Sequence, residues 1–175
     1  MTLLLTAMLL TTPAIDQAAA PASGQTTGSV RSMTDLVKGW ITKAAEQVPE
    51  DQYAFKPTPD VRSMGEVFGH IADANYMICG IAGGEKPPVS GIEKSKKTKA
   101  ELTQALNESF SFCEKVFAGM TDAKGGEVVK FFIPGTHTRL GVLAFNAAHD
   151  AEHYGNIVTY MRLKGMTPPS SARGM

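Results

Sequence analysis

The sequence predicts an all-α four-helix bundle with a long connection before the fourth helix, and three observations carry that prediction. Four segments place apolar residues at the spacing of an amphipathic helix, no segment sustains strand alternation, and no internal repeat is present. A chain of 175 residues with a 43% hydrophobic share can bury a proper core, and its length argues for one domain.

The first helix runs from Val30 to Val48, where Met33, Leu36, Val37, Trp40, Ile41 and Ala44 recur at helical spacing and Pro49 follows the end. Beyond a loop with Pro57 and Pro59, Ser63 and Glu66 supply a capping box for the second helix, which Gly83 and Gly84 stop after Ala82. The stretch to Lys97, with Pro87 and Pro88, reads as a polar loop. Thr98 and Glu101 form a second capping box, and Leu102, Ala105, Leu106, Phe110, Cys113, Val116 and Phe117 mark a third helix ending near Met120. Glu127 to Ile133 is too brief and too isolated for a sheet, so it reads as a connector that Pro134 and Gly135 turn. The fourth helix spans Arg139 to Lys164, with Gly165 as its C-cap and Pro168 and Pro169 beyond.

Charge excludes one class of partner. With 17 basic and 17 acidic residues and no basic stripe, the electrostatic drive for nucleic-acid binding is missing. The cluster from Lys94 to Lys99 reads as a solvated loop before a helix. At the N-terminus, the apolar run Leu3 to Leu10 and the small residues that follow resemble an export signal, with Ala20-Pro21-Ala22 suited to cleavage before Ser23. The expected organisation is a signal over 1–22, a flexible linker over 23–28, the bundle over 29–170 and a tail over 171–175. The run is too short to span a bilayer, so no membrane segment is expected in the mature form. The alternative is a cytoplasmic protein with a loosely packed N-terminal tail. Cys79 and Cys113 fit a disulfide if the protein is exported, and small buried hydrophobes if it is cytoplasmic.

The candidate chemistry lies in three histidines. His149 and His153 stand four residues apart within the fourth helix, so both imidazoles leave one face and can converge on a metal ion. His70 shares the inward face of the second helix with Val67, Ala74, Met77, Ile78 and Ile81. A lone histidine on such a face is ordinarily a core residue bonded to some carbonyl. Three inward imidazoles are better satisfied by a shared divalent cation, because burying several unpaired polar rings costs free energy.

The stretch from Tyr53 to Ser63 leading to His70-Ile71-Ala72-Asp73-Ala74-Asn75, and His149-Asp150-Ala151-Glu152-His153-Tyr154-Gly155 followed by Tyr160 to Gly165 and Pro168-Pro169, resemble the DinB-like proteins, also described as metal-dependent hydrolases of the DinB/YfiT type. The resemblance covers most of the chain after the leader. It implies a four-helix bundle with a divalent metal on three histidines, which fall here at His70, His149 and His153. Family members are often homodimers, and the family includes thiol-dependent transferases and isomerases beside members of no known reaction.

Three neutral imidazoles leave a coordination position open to water or substrate, as in catalytic sites. Imidazole ligation suits zinc, nickel or iron, with zinc or nickel the expected metal. Asp73, three residues after His70, and Asn146, three before His149, are candidates to orient a ligand ring or line the open position. Glu152 leaves the helix about 100° from His153 and is a weak general-base candidate. Asp150 occupies the position after His149 where a zincin protease carries glutamate, which disfavours that class. His137 precedes the fourth helix in a segment read as surface loop. Two functions follow: a metal-dependent enzyme, hydrolase or thiol transferase, acting on a small molecule, or a noncatalytic metal-binding or stress-associated bundle protein.

Overall fold

The computed structural model describes residues 24–172; the expected export signal and residues 173–175 lie outside them. Four long helices form the body: α1 (Gln25–Gln47), α2 (Met64–Gly83), α4 (Lys99–Ala118) and α6 (Arg139–Leu163). Two single turns interrupt the connections, α3 (Ile92–Ser95) and α5 (Asp122–Gly125). α2 packs against both α4 and α6, while α1 covers α6 and α4 from the other side. Among the described residues, no helix is long and apolar enough to cross a membrane.

Local chemistry accounts for most helix ends. Ser63 Oγ accepts from the Glu66 N–H at 3.2 Å, and Glu66 Oε2 accepts from the Ser63 N–H at 2.7 Å. Thr98 and Glu101 repeat the arrangement at α4. α6 closes with Gly165 at φ 72°, the Met166 N–H reaching Met161 O at 2.9 Å and the Gly165 N–H reaching Arg162 O at 3.0 Å, which satisfies carbonyls left over at the helix end.

Three expectations need correction. α1 begins at Gln25 rather than Val30, so most of the segment 23–28 is helix and not linker. Its N-terminus is capped from a distance: Asp122 accepts from the N–H groups of Gly24, Thr26 and Thr27 and from Thr27 Oγ1. The connector after α5 does form a sheet, of minimal size: β1 (Val128–Val129) pairs antiparallel with β2 (His137–Thr138), Val129 opposite His137. The loop between α2 and α4 holds α3, whose first N–H groups are satisfied by Asp73.

The core is divided. One apolar cluster contains Ile41, Phe68, Ile71, Leu106, Phe110, Ile157 and Met161; the other contains Ile78, Cys79, Cys113, Val116, Val142 and Leu143. Between them runs a buried polar layer across α2, α4 and α6. Asn75 donates to Ser109 Oγ at 3.2 Å, and Asn146 Nδ2 lies 2.8 Å from Asn75 Oδ1 and 3.3 Å from Asp150 Oδ2. Asn75, Ser109, Asn146 and Asp150 are each at most 1% exposed. One turn from this layer on each of two helices, Cys79 and Cys113 form a disulfide joining α2 to α4, with Cα atoms 5.3 Å apart.

Candidate metal centre

The three histidines meet. His70 comes from the second turn of α2, and His149 and His153 from successive turns of α6. His149 Nε2 lies 3.2 Å from His70 Nε2 and 3.1 Å from His153 Nε2, and one ring nitrogen of each residue lies within 4.8 Å of the others. Ligands at about 2.0–2.1 Å from a tetrahedral zinc ion stand roughly 3.3 Å apart, so this convergence fits a shared cation. A core histidine bonded to a carbonyl would have no reason to bring its nitrogen against two others.

The far side of each ring shows how it is held. His70 Nδ1 lies 3.1 Å from Glu93 Oε2, and Glu93 Oε1 accepts from Arg62 Nε at 2.9 Å. A donor at Nδ1 leaves the lone pair on Nε2, the tautomer a metal requires. Asn156 Nδ2 lies 3.3 Å from His153 Nδ1, and a ligand tautomer protonated at Nδ1 needs the carboxamide turned so that its oxygen faces the ring. His149 Nδ1 is buried without a hydrogen bond, as is Asp150 Oδ1, and the two lie 3.9 Å apart.

Both sequence candidates for orienting the ligands act one residue further out. Asp73 makes no hydrogen bond to the three rings; its two carboxylate oxygens accept from the N–H groups of Ile92 and Glu93, each at 3.0 Å. It therefore fixes the backbone that carries Glu93. Asn146 instead bridges Asn75 and Asp150. Gly69 makes the placement of α3 possible, because a Cβ there would stand 2.7 Å from Glu93 Cα and 3.0 Å from Glu93 N. Any side chain at 69 would push α3, and Glu93 with it, away from His70.

Glu152 is exposed and outside the cluster. His137 sits in β2, where Nε2 donates to Ile133 O at 3.0 Å and closes its own hairpin. Glu93, Asn156 and Asp150 are the site residues that sequence reasoning did not assign. Asn156 follows His153 by three positions and Asp150 adjoins His149, so helical spacing contained a signal for both. Glu93 lies in a segment without helical periodicity, and nothing local pointed to it.

Burial sets the protonation of two of the rings. His153, 8% exposed, is pushed down to about 4 by burial first and then by the charges of His149 and His70. Burial also lowers His70, with Arg62 and His149 adding to it and Glu93 opposing. Both are thus neutral near pH 7, as metal ligation requires. Asp150 is pushed up to about 6 by burial, moderated by His149.

Two cavities of opposite character reach the cluster. On the His153 side lies one of about 570 Å³, edged by Lys56, Asp60, Arg62, Asn156 and Tyr160. On the His70 and His149 side lies one of about 510 Å³, walled by Met77, Ile78, Val89, Phe132 and Phe145. Each of the three histidines therefore lines one of two cavities.

A helical bundle with an accessible three-histidine cluster between α2 and α6 defines the class of this protein: an all-α bundle with a group able to hold a metal ion. The chain belongs to the DinB superfamily, whose sequence profile matches residues 37–157. Its fold is similar to that of a DinB-like protein from Bacillus cereus, with a TM-score of 0.72 at 17% identity, over 81% of this chain and 95% of that one. A DinB-like protein from Bacillus subtilis gives 0.66 at 18% identity, over 83% and 99%. A conserved protein from Enterococcus faecalis gives 0.62 at 15% identity, over 78% and 95%. At these identities the likeness concerns the fold. No protein of curated function matches the chain.

Proposed function

We propose that His70, His149 and His153 hold a divalent metal, zinc or nickel, and that the protein is a metal-dependent hydrolase of small molecules. The single observation that carries this reading is the convergence of three imidazole nitrogens at a point open to two cavities. Three ligands and an accessible fourth position are the pattern of catalytic sites, whereas structural sites are closed by a fourth protein ligand. When bound, the metal supplies a Lewis acid that activates water and polarises a scissile carbonyl.

The chain's own residues prepare that site. Glu93 holds the His70 tautomer, and Arg62 keeps the Glu93 carboxylate in place. Tyr160 donates to Arg62 O at 3.0 Å, tying the loop that carries Arg62 to α6. The Cys79–Cys113 bridge supports an oxidising, exported setting.

Elemental analysis of untagged protein, beside His149→Ala and His153→Ala variants of equal folded fraction, tests the metal. Near-stoichiometric zinc or nickel lost in both variants, with hydrolysis of an ester and amide panel that follows metal content, is the expected result. Wild type that binds no metal on reconstitution would sink the reading. Stoichiometric metal with no turnover would favour a noncatalytic metal-binding bundle.

A further inference from the structure

We infer that the apolar cavity beside His70 and His149 is the subsite for an aryl or medium-length alkyl group of the substrate, an inference that rests on the three histidines being the reaction centre. Its walls come from four separate parts of the chain: Met77 and Ile78 on α2, Val89 in the following loop, Phe132 in the hairpin and Phe145 on α6. The carboxylate of Asp73, which also borders it, has both oxygens committed to the N–H groups of α3. A polar ligand group would therefore find few partners here, and an apolar one would displace water from an apolar wall.

Exposure points the same way. Met77, Val89 and Phe132 are 42%, 45% and 57% exposed, and all three surround this one opening. Large apolar side chains gathered in the open mark a surface that is covered during function. The rings continue inward: Phe132 lies 6.1 Å from Phe145, and Phe145 lies 6.4 Å from His149, centroid to centroid. The path thus leads from solvent to a ligand ring without a charged group among the aromatics.

The occupant is a small molecule and not a protein helix, because the space is about 510 Å³ and ends on the histidine rings. The opposite cavity, with Lys56, Arg62, Asn156 and Tyr160, gives the polar remainder of the substrate a place on the His153 side. The substrate class is accordingly a compound with an apolar arm on one side of its reacting group and a polar portion on the other.

A series of hydroxamic acids tests this on the zinc-loaded full chain, since the hydroxamate end seeks the metal and only the tail varies. From aceto- to hexano- to octanohydroxamate, affinity is expected to rise roughly fourfold per methylene buried. Phe132→Asp and Met77→Asp should flatten that rise, while Val128→Asp, an exposed hairpin residue outside the cavity, should keep it. Tail-independent affinity in the wild type, or a rise that survives Phe132→Asp, overturns the inference. If acetohydroxamate fails to bind because no metal is held, ligand-observed NMR with n-butylbenzene on the same protein decides. Binding lost in Phe132→Asp upholds the apolar subsite while the metal reading falls, and no binding overturns the subsite as well. Sedimentation showing a dimer that Phe132→Asp dissociates, without a tail effect, would assign the patch to a second copy and overturn it too.

Discussion

The disulfide layer, which joins α2 to α4, and the histidine layer, which joins α2 to α6, share one helix, yet they are held together in opposite ways. Around Cys79 and Cys113 the packing is apolar, with Ile78, Val116, Val142 and Leu143 buried and α2 joined covalently to α4. One turn away, Asn75, Ser109, Asn146 and Asp150 cross the core as polar groups, next to three imidazoles. Three buried polar atoms of that layer, His149 Nδ1, Asp150 Oδ1 and Asn146 Oδ1, have no hydrogen-bond partner. The comparison teaches that the bundle keeps a polar layer in its core directly beside an apolar, covalently joined one.

The comparison breaks most completely at the ligands. His149→Ala should abolish stoichiometric metal binding, because His149 Nε2 stands within 3.2 Å of both other rings. The same variant should leave the reduced-versus-oxidised stability difference intact, measured by urea unfolding with and without reductant. Metal retained at wild-type stoichiometry would show that the histidines are not the ligands.

Next in size is the bridge. The double variant Cys79→Ala/Cys113→Ala opens a loop with a sequence separation of 34 and should cost about 3–4 kcal/mol in the chain-entropy model. Urea unfolding of the metal-free forms measures it without the ligand contribution. A cost below about 1 kcal/mol would mean that the apolar layer alone carries the load.

A smaller effect separates direct from indirect support of the rings. Glu93→Gln should weaken metal affinity about tenfold to a hundredfold, since it removes the charged acceptor of His70 Nδ1. Asp73→Asn should weaken it less, because Asp73 acts only through the α3 backbone. Competition against a chromogenic chelator ranks the two. The reverse order would show that positioning α3, and not charging the ring's partner, is what matters.

The smallest effect lies at the far end of α1. Asp122, ordinarily titrating near 3.8, is held down to about 2 by hydrogen bonds from Thr27, Gly24 and Thr26. Its folded value is depressed, so its contribution is fully present above the ordinary value and disappears as pH falls from 3.8 towards about 2. The melting temperature of the wild type should exceed that of Asp122→Asn at pH 6, and the two should converge as the pH approaches about 2. A gap that persists at the acid end would remove the carboxylate from the cap.

Sequence pattern alone determined the four long helices, because their capping boxes, terminal glycines and apolar stripes are chemistry within one or two turns. It also pointed to all three converging histidines, since the i, i+4 spacing and the inward face of α2 are properties of an isolated helix. Tertiary structure decided the rest wherever the partner lies far along the chain. The start of α1 has Gly24 as its local neighbour, with no side-chain cap of its own, and is satisfied by a carboxylate 95 to 98 positions away. The β1–β2 ladder needed the hairpin to close before its strands had any neighbour. Glu93 meets His70 only because Gly69 has no side chain to keep α3 off α2, and Asp73 then ties α3 down. Local periodicity records which face of a helix is buried; which distant residue is waiting on that face is settled by packing.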